Sequence, residues 1–344
     1  MPTSDRMPGV RRELETVRGT VCAMRDRGLV AALVVLAALS TLGTAPAAAA
    51  QTTTVRVLVV KATWGPQPQA DVRNLTDPAA AFFARSSLGT VQLAFTETPW
   101  VVAYDDRAVC ADVRLLFEQG ETAAAQFAPA GYDRVMYVTP CRFVDVGNEV
   151  VHAGTVGLPS SPALFEHELG HTFGMSHAGS LDCTSTCVLN PYGNQLDAMG
   201  SGVGDFGALQ KAEAGWPVVV RDVTVPGTYR LAALEVPSTL PQALVLQRGA
   251  VDLWIEHREA VGNDTFLKRS PWKTVTSGVL VHETPASPVQ IPFLERRPDF
   301  LLGNGGPKRS WLMKTKTFVV PHVVRIDVVA HVGTTLTVRL RPLH

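Results

Sequence analysis

Hydrophobic and polar positions divide the chain into two textures. In the first, β-branched runs alternate with stretches of helical character. Residues 54–64 (TVRVLVVKATW) predict a strand, 78–88 (PAAAFFARSSL) a helix stopped by Gly89, and 91–104 (VQLAFTETPWVVAY) a second strand. Asp106 is placed to cap a helix running to about Phe127, and two further strands are predicted over 133–141 (DRVMYVTPC) and 149–159 (EVVHAGTVGLP). Ser161 and Pro162 then open another helix, one as a side-chain cap and the other in the first turn. From Trp216 onward the texture becomes short β-branched runs between turn residues, such as ALVLQR, VDLWIEHRE, GVLVHET and TTLTVRLRP. The expected class is α+β: a mixed-sheet unit with helices over 51–215 and a β-sandwich-like unit over 216–344.

The N-terminal 50 residues read differently. An uncharged apolar run from Gly28 to Gly43 follows Arg25 and Arg27 and leads into TAPAAAAQ, the layout of a signal peptide cleaved near Ala50. The run is shorter than the roughly 20 residues a bilayer-spanning helix needs, so the mature chain is expected to be secreted with no stable membrane span. Met1 and Met24 are alternative starts. Export also fixes how the cysteines read. Cys22 is removed, and in an oxidising compartment Cys110 with Cys141 and Cys183 with Cys187 make the simplest pair of disulfides; a second metal site on Cys183 and Cys187 is the alternative. Charge is balanced at 31 basic against 31 acidic residues, so no nucleic-acid partner is expected.

Three of the nine histidines fall within the eleven residues 167–177, HELGHTFGMSH. His167 and His171 stand four apart and project from one helix face, close enough to share an ion. His177 cannot join them from a straight helix, because six more residues turn the side chain by roughly 600° and carry it about 9 Å along the axis. Gly174 sits where the backbone must turn, and glycine adopts positive φ without steric cost. Three imidazoles with an open fourth position suit catalytic zinc, and Glu168 beside the first ligand supplies a carboxylate able to take a proton from water attacking a carbonyl.

The same residues match the pattern HExxHxxGxxH, and the chain resembles the metzincin metallopeptidases. Stretches 87–95, 132–141, 190–200 and 253–267 are most similar to the gametolysin-like branch. The resemblance implies one zinc ion on His167, His171 and His177, Glu168 as general base, and a metzincin-like catalytic domain. It also implies that NPYGNQLDAMG (190–200) forms the family's Met-turn, with Met199 beneath the metal 22 residues after His177. Asn194 stands where an acid would be expected. No tyrosine follows Met199, so a tyrosine ligand is unsupported. Tyr192 is a candidate for transition-state support, and Asp197 either braces the zinc shell or organises the turn.

These readings point to a secreted zinc endopeptidase acting on protein or peptide substrates. The competing class is a surface binding or adhesion module whose metal site does not cut. The strand around His152 is expected to form a sheet edge that pairs with an extended substrate, with His152 itself structural. His257, His282, His322 and His331 are read as ordinary residues of the β-rich half. Asn74 and Asn263 begin glycosylation sequons. Nothing in the pattern assigns a calcium site, and no cysteine lies between Gln51 and the first strand to plug the zinc, which leaves control to an outside inhibitor or to none.

Overall fold

Strand β1 (Thr53–Thr63) is buried almost continuously from Val57 to Thr63, the signature of a strand covered on both faces. It lies parallel to β2 (Val91–Glu97), to the two-residue β3 (Val101–Val102) and to β4 (Arg134–Thr139). The single predicted strand over 91–104 is thus two, separated by residues 98–100, where Pro99 lacks the N–H that a ladder needs. Outside β4 come β5 (Val144–Gly147) and β6 (Val150–Gly154), giving the order β2-β1-β4-β6-β5. Because β6 pairs with β4 on one side and antiparallel β5 on the other, the strand carrying His152 is not the edge; β5 is.

The computed structural model describes residues 51–65, 71–139, 141, 144–147, 150–154, 162–183, 187–285, 289–291, 294–296, 299–303 and 317–343. The expected signal peptide and Ser161 lie outside them, as do the side chains of His152, Cys183 and Cys187. No helix of the described residues is long and apolar enough to cross a membrane.

Helix α1 (Arg73–Ser86) begins five residues before the predicted start and takes Pro78 into its interior. Asp71 accepts a hydrogen bond from the Arg73 N–H at 3.0 Å just before the helix, and Leu75 and Thr76 are buried in its first turn. The long helix predicted from Asp106 divides. Asp106 caps a single 3₁₀ turn (Arg107–Ala111), and Asp112 caps α2 (Val113–Ala124) through the Leu115 N–H. Cys110 in that turn is disulfide-bonded to Cys141 just beyond β4. The face of the sheet bearing Leu58 and Val60 is buried with Ala124 of α2. On the face bearing Val55 and Val57, α1 and α3 (Pro162–Thr172) share a core with Leu93, Met136, Met199, Phe206 and Trp216.

The β-rich region follows. The hairpin of β7 (Ala178–Cys183) and β8 (Cys187–Asn190) brings Cys183 and Cys187 opposite one another along the backbone. After α4 (Ala208–Glu213) come β9 (Val220–Asp222), β10 (Gly227–Ala232), β11 (Ala243–Arg248), β12 (Val251–Glu256) and β13 (Leu280–Pro285). A small hairpin of β14 (Val289–Ile291) and β15 (Leu294–Arg296), then β16 (Asp299–Gly303), β17 (Thr317–Val320), β18 (Val324–Val332) and β19 (Thr335–Pro342) complete the chain. One sheet runs β8-β7-β16-β13-β12-β11-β9 and another β10-β19-β18-β17. Leu244, Leu253, Ile255 and Val281 of the first share a core with Leu231, Ile326, Leu336 and Val338 of the second, so the two sheets pack as layers. The larger sheet draws strands from both sides of position 216, because β7 runs parallel to β16. Residues from Ala49 onward form one compact unit.

Arg258, two residues past the end of β12, is the largest fully buried side chain among the described residues. Its Nε donates to Glu256 Oε1 at 2.7 Å, and its Nη1 to Asp264 Oδ2 at 2.9 Å and to the Asp205 carbonyl at 3.1 Å. Glu235 and Asp197 lie within 4.0 Å. Burial alone would raise Glu256, but the Arg258 charge, aided by His282, pulls it well below the ordinary carboxylate range. Glu235 moves the other way, raised by burial and then by the Asp264 charge. Asp205 is further held by Lys211 at 2.7 Å and by the Ser86 hydroxyl. A buried cation ringed by acids ties the segment after β12 to the loop before α4. Removing one member leaves the rest uncompensated, which costs about 3–5 kcal/mol. Arg258→Met is therefore expected to lower the unfolding free energy by roughly that amount, whereas Arg56→Ala, which breaks an exposed 3.5 Å pair with Asp133, costs at most about 1 kcal/mol. Urea unfolding of both variants checks the contrast, and equal losses would contradict it.

Candidate metal centre

Helix α3 carries His167, Glu168 and His171 into the interior, all three under 9% exposed. Their polarity in a core helix requires partners, and the two ring Nδ1 atoms have them. His167 Nδ1 lies 2.7 Å from the Ala198 carbonyl and His171 Nδ1 lies 2.8 Å from the Met175 carbonyl. A carbonyl only accepts, so each Nδ1 carries the proton and each Nε2 presents a lone pair. Burial also holds His167 below the ordinary imidazole range, outweighing the Ala198 hydrogen bond, which keeps that ring neutral.

The helix ends where the spacing predicts. Gly174 has φ +91°, its N–H donates to the His171 carbonyl at 3.0 Å, and the Met175 N–H folds back to the Gly170 carbonyl at 3.4 Å. The turn returns His177 to the first two rings. His171 Nε2 and His177 Nε2 are 3.0 Å apart, and one nitrogen from each of the three rings lies within 4.8 Å of the others. Tetrahedral zinc with bonds of 2.0–2.1 Å separates its ligand atoms by about 3.3 Å, so this donor set fits such an ion.

The 190–200 segment lies beneath this cluster. Met199 is fully buried, and its sulfur lies 2.6 Å from where a Cβ on Gly170 would stand, so the absence of a side chain at 170 is what admits it. Asp197, also fully buried, takes the turn role: Oδ1 accepts from the Met199 N–H at 2.7 Å and Oδ2 from the Gly207 N–H at 2.8 Å. It thereby sets the Ala198 carbonyl that holds His167. Asn194 is buried and accepts from the Leu196 N–H at 3.0 Å, a turn role that an amide oxygen fills as well as a carboxylate. The Ala178 N–H, next to the third histidine, donates to the Met199 carbonyl at 2.8 Å. The Tyr192 ring lies tilted 4.3 Å from that of His177, and burial, then the Glu168 charge, raises its phenol. Glu166, on the same helix, is raised to about 7 by burial.

Three contributors have no signal in the sequence pattern. Gly170 is a gap for Met199. Gln210, fully buried on α4, donates to the Ser176 carbonyl at 3.3 Å and so steadies the segment bearing His177. Phe206 packs edge-on against Phe82 at 5.1 Å and against Gly170. Only long-range packing identifies them. Asn263, read as a sequon, has its amide engaged with the Phe82 carbonyl at 3.1 Å and its oxygen with Arg85 at 2.7 Å.

No family model and no curated protein matches the chain. Among solved structures, an archaemetzincin from Methanopyrus kandleri is similar at 16% identity and a TM-score of 0.29, covering 47% of this chain and 94% of that one. Wild-type OgpA from Akkermansia muciniphila is similar at 11% identity and a TM-score of 0.32, covering 86% and 97%. A chaperone–substrate complex is similar at 16% identity and a TM-score of 0.29 over 45% of this chain, which spans only 29% of that structure's chain. Likenesses this weak assign no family.

Gly170→Ala is expected to displace Met199 and to cost about 1–3 kcal/mol of stability through overpacking. Thermal unfolding and a chelator competition assay check this: metal affinity falls with the stability, and an unchanged affinity would show that Met199 does not support the histidines.

Proposed function

We propose that this chain is an exported zinc metallopeptidase that hydrolyses peptide bonds of protein substrates. The observation that carries the reading is the pair of backbone carbonyls that fix the His167 and His171 tautomers and leave their Nε2 lone pairs converging with His177. His167, His171 and His177 would hold the ion, and zinc bound there would supply Lewis acidity that acidifies water and polarises a carbonyl.

Glu168 does the proton work. Its carboxylate takes a proton from the attacking water and returns it to the leaving amine nitrogen, a role suited to a buried acid adjacent in sequence to the first ligand. Tyr192, raised by burial and by Glu168, keeps its phenolic proton and donates it as a hydrogen bond to the developing oxyanion. An extended substrate backbone pairs with β5, the outer strand of the six-stranded sheet. A binding module with the same three ligands would have no use for Glu168, which is why hydrolysis is preferred.

The test uses the purified chain with casein and a peptide library. Glu168→Gln is expected to bind zinc as wild type does and to lose about 10²–10⁴-fold in kcat/KM. Full activity in that variant removes the proposed base, and a zinc-loaded wild type that cleaves nothing removes the peptidase reading.

A further inference from the structure

A second group of metal-binding side chains lies away from the 167–177 cluster. His257 and Glu259 follow β12, on the larger sheet of the β-rich region, and His331 lies near the end of β18 in the smaller sheet. One ligand atom from each falls within 4.8 Å of the other two. His257 Nε2 is 3.2 Å and His331 Nε2 is 2.8 Å from the same carboxylate atom, Glu259 Oε1, and the two rings stand edge to face at 5.3 Å.

These contacts are not a settled hydrogen-bond network. His257 is completely buried, and its Nδ1 lies 3.0 Å from the Gly278 carbonyl, which as an acceptor fixes the proton on Nδ1 and turns the Nε2 lone pair toward Glu259. A lone pair aimed at a carboxylate oxygen is repelled unless a proton or a metal cation stands between them. Neither His257 Nε2 nor Glu259 Oε1 makes a hydrogen bond of acceptable direction, although both are buried atoms. The Glu259 N–H is itself anchored to Glu235 Oε2 at 2.9 Å, so the carboxylate is presented from a fixed backbone.

The backbone of β18 is also arranged to deliver His331. Along this strand Val324, Ile326 and Val328 face inward, and strict alternation would send position 331 to the opposite face. The register slips at Val329: Val328 pairs with Val338, and His331 with Leu336, both of which are buried partners. One extra residue therefore returns His331 to the inner face, the local re-aiming that a bulge provides.

We infer that His257, Glu259 and His331 form a second zinc site that staples the two sheets of the β-rich region together. Two imidazoles and one carboxylate are a borderline donor set that favours zinc, whereas calcium and magnesium take oxygen ligands. A third of the His331 side chain is exposed, which leaves room for water as the fourth ligand. The inference does not rest on the peptidase reading.

The experiment counts zinc in the purified full-length chain after equilibration with micromolar zinc and gel filtration. Wild type is expected to retain about two ions per chain and a His167→Ala/His171→Ala variant about one. In that double variant zinc is expected to raise Tm by several degrees while calcium does not, and adding His331→Ala abolishes both the bound ion and the shift. Glu259→Gln serves as the second route should the alanine variant fold poorly. A double variant that holds no zinc and shows no zinc-dependent Tm overturns the inference in favour of a protonated His–Glu–His contact. Retention of the ion after both substitutions overturns the ligand assignment. Failure of the peptidase reading appears elsewhere, as loss of cleavage with the zinc count intact.

Discussion

The bend at Gly174 is the constraint on which the site depends. An α-helix continued from His171 would carry His177 away from its partners, and only positive φ at 174 reverses the chain tightly enough. The reversed segment is then held from several sides: by the helix through Met175 and Gly170, by α4 through Gln210 and Ser176, and by the 190–200 turn through Ala178 and Met199. One of the clustered histidines takes part as well, since His171 Nδ1 is bonded to the Met175 carbonyl inside the bend. The geometry of the histidine cluster and that of the backbone are one network here.

That network extends into the β-rich region through charge. Asp197 shapes the turn beneath the histidines and lies 4.0 Å from Arg258, which is bound to Glu256 and Asp264 beyond the 216 position. Arg258 stands between His257 and Glu259, so the anchor of the turn lies between two of the three residues of the second cluster. The parallel pairing of β7 with β16 adds a direct backbone link. A β-rich unit that merely trailed the first would need neither connection.

What the sequence discloses follows from how local each determinant is. The His167, His171 and His177 spacing, the Gly174 turn and the strand of residues 54–64 are legible because helix and strand periods act over a few residues. Caps misled where two acids compete: Asp106 was the plausible start, yet Asp112 opens α2. Non-local features escaped altogether. The edge role of β5, the gap at Gly170 and the partners of Arg258 all depend on what packs against them. His331 read as an ordinary strand residue because simple alternation hides a residue delivered by a bulge.

X-ray absorption at the zinc edge tests the central claim most directly. In a His331→Ala background, which isolates the 167–177 cluster, the account requires three imidazole nitrogens and one oxygen at about 2.0–2.1 Å. A sulfur scatterer at about 2.3 Å, or fewer than three imidazoles, would contradict it.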